Sequence, residues 1–403
     1  MAAPGPLAGL GAVRVSQEDR AADQMPQGHT AAASMVSMYY RHRASIDALP
    51  GYRQGSPAPA IPGLTSYKIS SNENPYPPLP GVLQTVFEQA LGHLNRYPDM
   101  RGTLLVERLA HLHGVDPACI QLGCGSTEVI TQLVDLVAGH GDQVVYPWRS
   151  FEAYPIIVTM AGATGVPVPL DKQGRHDIEA MIAAVNDHTR LVIVNNPNNP
   201  TATNVDHDQA ERLLQALPAD LPVLFDEAYV QFNDDPDRAD GLALMREHPN
   251  VIVARTFSKA YGLAGLRIGY AVAAEPIIAG MNKVALPFGV SDVAQTAAMA
   301  SLDAQDRLSE RVQALKQERA RILAGLQDQG WNIPEPRANY YWLPLGRAAA
   351  QADQRFRDAG LSVRTFPGEG IRITVGEREA NDRVLEVCAD LRREGLSQDP
   401  IPD

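Results

Sequence analysis

Lys259 lies in RTFSKAYGLAGLRIGY, residues 255–270, and Arg267 follows it by eight residues. The lysine sits among small residues just after the apolar run VIVA (251–254). An amine so placed can form a Schiff base with a carbonyl, and a nearby arginine can hold a phosphate in its planar fork. One ligand carrying both an aldehyde and a phosphate would satisfy the two residues together. A loop lysine also has an ordinary structural reading, so the rest of the chain must decide.

Four further groups bear on it. LGCGSTEVITQLVDLV (122–137) runs from a Gly-rich turn into an amphipathic helix with Ser126 as the expected N-cap. Backbone N–H groups and the helix dipole make such a start a phosphate site, though many capped helices bind nothing. Asp226 closes the apolar strand of VLFDEAYVQF (223–232). A carboxylate there is costly to bury without a partner. Against a pyridine nitrogen it would keep the ring protonated and electron-withdrawing, and in the bland reading it caps a helix. Tyr229, three residues on, and Asn199 in NNPNNPT (195–201) can both reach a ring oxygen. Arg372 in GIRITVG (370–376) offers a fork for a carboxylate, or is a solvated edge-strand arginine. Each group alone is weak. Together they supply what pyridoxal phosphate and an amino-acid substrate require.

The elements that must position these residues are legible as alternating short apolar runs and amphipathic stretches. QVVYP (143–147), RLVIVN (190–195), PVLFD (222–226), VIVAR (251–255) and IGYAVA (268–273) read as strands, with helical patterns at 178–185 and 207–217 between them. This predicts an α/β fold on a largely parallel sheet buried on both faces. Asn195, Asp226 and Arg255 end their runs, and ligands bind at the carboxyl ends of such strands. Leu308, Val312, Leu315, Ile322 and Leu326 fall at helical spacing and predict one long helix. The expected organisation is a disordered extension at 1–34, an N-terminal arm at 35–66 and the start of a small domain at 67–94. A large cofactor-binding domain spans 95–303, and a linking helix with a small α+β C-terminal domain spans 304–396. Met35 and Met38 read as candidate start residues.

The chain has 403 residues and a formal net charge of −12, which argues against nucleic acid or an anionic membrane as partner. Cys119, Cys124 and Cys388 show no metal or disulfide spacing, so no metal is expected and a reducing cytoplasm fits. No apolar run approaches a membrane span.

From about 67 to 395 the chain resembles the fold-type-I, class-II pyridoxal-phosphate aminotransferases of the histidinol-phosphate aminotransferase type. The matching segments are SSNENPYPPLP (70–80), NRYPD (95–99), GCGSTE (123–128), NNPNNPT, FDEAYVQF, RTFSKAYGLAGLRIGY, ANYYWLPLG (338–346) and IRITVG. One departure is Ala202, which stands where the family's NNPTG turn has glycine. The resemblance implies a large mostly parallel-sheet domain with a smaller α+β domain, and a homodimer. It makes Lys259 the Schiff-base lysine and the proton shuttle between Cα and C4′. Asp226 becomes the ring-nitrogen partner, Tyr229 and Asn199 hold the phenolic oxygen, and Phe151 stacks on the ring. Ser126, Thr127, Thr256, Ser258 and Arg267 hold the phosphate, joined by Tyr97 acting on a partner subunit. Arg372 and Asn339 take the substrate carboxylate, and Tyr52 lies on an arm closing over the substrate.

Two branches of that family compete. WRSFEAYP (148–155) looks like the actinobacterial branch acting on aromatic amino acids, especially phenylalanine, with 2-oxoglutarate as acceptor. Arg364 in SVRTF (362–366) matches an arginine that grips phosphate in the histidinol-phosphate branch, and a guanidinium can also stack on an aromatic ring. The aromatic branch is favoured. Histidinol phosphate is the alternative, and a decarboxylase of the same fold is a remoter one.

Overall fold

The apolar runs form strands whose alternation feeds two cores. In the computed structural model, residues 43–47, 49, 51–52 and 54–396 are described. The expected disorder of residues 1–34 lies outside them. The chain divides into two compact units, 1–47 and 48–403. The described part of the first holds a short helix, Ala44–Asp47.

The second unit contains twelve strands among its described residues. They are β1 (Tyr67–Lys68), β2 (Ile120–Gly123), β3 (Gln143–Trp148), β4 (Thr164–Pro169), β5 (Thr189–Asn195) and β6 (Val223–Asp226), then β7 (Val251–Thr256), β8 (Gly269–Val272), β9 (Tyr340–Leu343), β10 (Leu361–Ser362), β11 (Arg364–Phe366) and β12 (Gly370–Thr374). Seven form one sheet in the order β2-β8-β7-β6-β5-β3-β4. Only β8 in this sheet runs against its neighbours. On β5 to β7, Val192, Val194, Val223, Phe225, Val251 and Val253 pack into one core. The intervening Leu191, Ile193, Leu224, Ile252 and Ala254 pack into the other. Successive strand residues face opposite ways, so a sheet covered on both faces needs unbroken apolar runs. Burying each such side chain contributes about 1.5–3 kcal/mol.

Register then sets the site. Asn195, Asp226 and Ala254 stand level on β5, β6 and β7 at their carboxyl ends. The predicted long helix is Gln305–Asp328. Its buried stripe includes Arg319, whose guanidinium donates to the Phe232 and Ala338 carbonyls and pairs with Asp234. A second, antiparallel sheet in the order β11-β12-β9 carries Arg372 on its middle strand, and β1 pairs with β10. No helix among the described residues is long and apolar enough to cross a membrane. All three cysteines are free.

Candidate active site

Lys259 follows β7 by three residues and lines a cavity of about 460 Å³ at the strand ends. Its Nζ donates to the Ser71 carbonyl at 3.2 Å and stands 5.8 Å from the centre of the Tyr229 ring. Asn74 Nδ2 donates to the carbonyls of Lys259 (3.2 Å) and Ala260 (2.9 Å), which fixes the backbone that carries the amine. Burial, and next the Arg372 guanidinium, lower the lysine pKa to about 7. An ordinary lysine is almost wholly protonated at neutral pH; this one presents a nucleophilic amine.

Asp226 is buried on the same cavity. Tyr154 O–H donates to its Oδ2 at 2.7 Å, while Oδ1 is buried with no partner. Burial raises its pKa to about 6, and the Tyr154 hydrogen bond opposes the rise. A buried carboxylate with one oxygen unsatisfied fits a protonated ring nitrogen, which would supply the missing donor and the balancing charge. Tyr229 is buried beside it, and its hydroxyl accepts from Asn72 Nδ2 at 3.0 Å. That leaves the Tyr229 proton for an acceptor in the cavity. Asn199 is set by its N–H, which donates to Asn195 Oδ1 at 2.8 Å, and its Oδ1 accepts from Arg372 Nη1. Ala202 holds a left-handed φ of 62° in this turn, which costs about 1–2 kcal/mol outside glycine. Two bonds hold the turn: the Ala202 N–H to the Asn198 carbonyl at 2.8 Å, and the Arg337 N–H to the Ala202 carbonyl at 2.7 Å.

The far end of the cavity is an anion cradle. Ser126 and Thr127 open the helix Ser126–Val137, and Thr256, Ser258 and Arg267 complete the wall. Arg267 itself has a left-handed φ of 55°. A Cβ on Gly125 would lie 2.5 Å from Arg267 Nη2, and one on Gly269 would lie 2.4 Å from the Ser126 nitrogen. The two glycines therefore let the guanidinium and β8 close on the helix start. A phosphate suits this combination of hydroxyls, backbone N–H groups and one cation.

Phe151 and Tyr52 also line the cavity, their ring centres 6.4 Å apart and edge to face. Arg372 lies just beyond its wall. It is buried and its partners are neutral: Nη1 to Asn199, Nη2 to the Ser70 carbonyl, and Nε to nothing. Asn339 Nδ2 donates to the Asn72 carbonyl at 3.3 Å, beside the Tyr229 contact. Arg364 faces an adjoining cavity and pairs with Glu152. Tyr97 is 82 % exposed and packs on Phe288, ring centres 4.7 Å apart, and it does not line the cavity.

Two expectations change. Ser126 is the first helical residue, with Gly125 at the cap position and no side-chain cap bond. Arg255 does not join the site: on β7 it points opposite to Thr256 and forms a buried pair with Glu227 at 2.7 Å. Sequence reasoning also missed Tyr154 and Asn72, which place Asp226 and Tyr229. Asn72 had a signal in its own segment, SSNENPYP, where a polar residue precedes a proline-rich turn. Tyr154 had none, lying in a helix that reads as plain core.

A low-pKa lysine, a buried acid awaiting a cation and an anion cradle within one cavity define a pyridoxal-phosphate enzyme. The model of the aminotransferase class I and II family matches residues 66–387, and the chain belongs to that family. An aromatic amino acid aminotransferase of Streptomyces avermitilis is 52% identical over 352 residues, covering 87% of this chain and 98% of its own. One of the same name from Cutibacterium acnes is 45% identical, covering 86% of this chain and 97% of its own. Among solved structures, histidinol-phosphate aminotransferase from Sinorhizobium meliloti in complex with pyridoxal 5′-phosphate superposes with a TM-score of 0.78 at 29% identity, covering 89% of this chain and 99% of its own. The fold is accordingly the fold-type-I aminotransferase arrangement.

Proposed function

We propose that the protein transfers the amino group of an aromatic L-amino acid (phenylalanine, tyrosine or tryptophan) to 2-oxoglutarate, giving the aromatic 2-oxo acid and L-glutamate. The observation that carries this reading is a second cavity of about 740 Å³, which shares Tyr52 and Gln54 with the first and whose walls include Trp148, Ile156, Val363 and Phe366 beside ion-paired arginines. A flat apolar side chain suits such walls. The names of the Streptomyces and Cutibacterium relatives support the same substrate class.

Pyridoxal phosphate would supply an aldehyde for the substrate amine and an electron-withdrawing ring. Asp226 would hold its ring nitrogen, Tyr229 and Asn199 its phenolic oxygen, and Phe151 its face. Ser126, Thr127, Thr256, Ser258 and Arg267 would hold its phosphate. Arg372, with Asn339 close by, orients the substrate through its α-carboxylate, the anion this buried cation otherwise lacks. Lys259 Nζ, whose pKa burial lowers to about 7, would take the proton from the substrate α-carbon. Tyr52 lines both cavities and would close over the substrate. The acceptor enters after the first oxo acid leaves, so the two half-reactions use one set of residues.

In this reading the protein is a cytoplasmic homodimer. Exposed Tyr97, Met100, Leu104 and Leu286 support the dimer, and Tyr97 would serve the phosphate site of the second copy. The large domain is assigned to 95–303, with 67–94 and 304–396 forming the small one that carries Arg372. The deciding experiment compares kcat/KM for phenylalanine and histidinol phosphate with 2-oxoglutarate as acceptor. A preference for phenylalanine is expected; a strong preference for the phosphate ester overturns the assignment.

A further inference from the structure

The second cavity is lined by three arginines, and each is matched by an acid. Arg149 pairs with Glu369, Arg357 with Asp353 at 2.7 Å, and Arg364 with Glu152. The Arg364 pair is the most enclosed of the three on the arginine side, with the guanidinium side chain 13% exposed. Arg364 stands directly across from Arg372 in the β11–β12 register. Directly opposed residues share a face and their Cβ atoms lie about 4.5–5.5 Å apart, so like charges there repel. Arg372 has only neutral partners, whereas Arg364 has a carboxylate of its own. Glu152 stands at the cap position of the helix Ala153–Ala161 but makes no cap bond, and its carboxylate goes to Arg364 instead. The two cross-strand arginines thus differ in one respect: one is free to take an anion and the other is already neutralised.

We propose that Glu152 is a specificity-determining residue: by neutralising Arg364 it makes the side-chain end of the site accept an uncharged aromatic group and resist an anionic one. The inference rests on the proposed substrate site. Arg364 keeps its stacking face toward Phe366, 5.6 Å from the ring centre, so the pair still offers an aromatic side chain a flat cation–π neighbour. A phosphate or carboxylate must first displace Glu152. Discrimination then comes from a repulsive element as much as from an attractive one. The distal carboxylate of 2-oxoglutarate meets the same obstacle, so removing the Glu152 charge lowers the KM for that acceptor.

The test measures, on one preparation, kcat/KM for L-phenylalanine and for 4-carboxy-L-phenylalanine. These donors share amine, α-carboxylate and ring and differ by one distal anion. Their ratio does not depend on how much of a variant has folded. In Glu152→Gln the anionic-to-neutral ratio is expected to rise about tenfold, and in the double variant with Arg364→Gln to return to within about threefold of the original. A purely structural pair would move both donors together. A ratio unchanged in Glu152→Gln, or a gain that survives in the double variant, overturns the proposal. A wild-type preference for histidinol phosphate over phenylalanine would instead sink the aromatic assignment, and it is read separately.

Discussion

Replacing Arg372 by Gln isolates one interaction, because two donors that differ only in the α-carboxylate can be compared. The guanidinium is buried, donates to Asn199 Oδ1 and the Ser70 carbonyl, and leaves Nε without a partner. A substrate carboxylate reaching it would complete a buried, hydrogen-bonded ion pair. Removing one member of such a pair costs about 3–5 kcal/mol, which is roughly 150- to 5,000-fold in kcat/KM. The substitution also disturbs Asn199 and so lowers all activity somewhat. Phenylethylamine, which has the ring and amine but no carboxylate, measures that general loss. The expected result is a fall of at least about 100-fold for phenylalanine and a much smaller one for phenylethylamine. Equal losses for both donors, or a loss below about fivefold for phenylalanine, would refute the role given to Arg372.

Asp226 makes the cofactor-free protein pH-sensitive. Between pH about 4 and 6 its folded form keeps a proton that the unfolded chain has released, so stability falls as pH rises through that window by on the order of 2–3 kcal/mol and then levels. Thermal melts of Asp226→Asn should lack this slope, and an identical slope would remove Asp226 as its cause. Tyr154→Phe deprives Asp226 of its one side-chain donor and should weaken cofactor retention about tenfold in equilibrium dialysis; unaltered retention would show that Tyr154 does not support Asp226. In the cofactor-free protein, Lys259 should be modified by an amine reagent with a midpoint near pH 7, while exposed lysines react only at higher pH; a midpoint near pH 10 would contradict its buried, depressed state.

Much of this site was legible because the sheet prints its pattern locally. Unbroken apolar runs gave β5 to β7, and their polar ends placed Asn195 and Asp226 level with one another. Lys259 and Arg267 share one segment, so their proximity needed no tertiary knowledge. Most of the failures share a cause: partners distant in sequence. Arg255 looked like a strand-end ligand, and only the facing of β7 shows that it belongs to Glu227. Tyr154 lies 72 residues from Asp226 and sits in a helix whose pattern is simply apolar. Arg364 and Glu152 are 212 residues apart, so the arginine alone left phosphate grip and aromatic stacking both open. The helix start at Ser126 was missed by one residue because Gly125 takes a φ of 79° that closes the turn without a side-chain cap.

The central claim is that Lys259 is the amine that carries the cofactor. Lys68 lines the same cavity and is the control, although Glu73 holds it in an ion pair at 2.7 Å. Borohydride reduction of the purified holoenzyme, followed by peptide mass mapping, records which lysine bears the phosphopyridoxyl group. The account predicts the label on the peptide containing Lys259 and none on Lys68. A label on Lys68, or an unlabelled Lys259 in protein that retains bound cofactor, would contradict it.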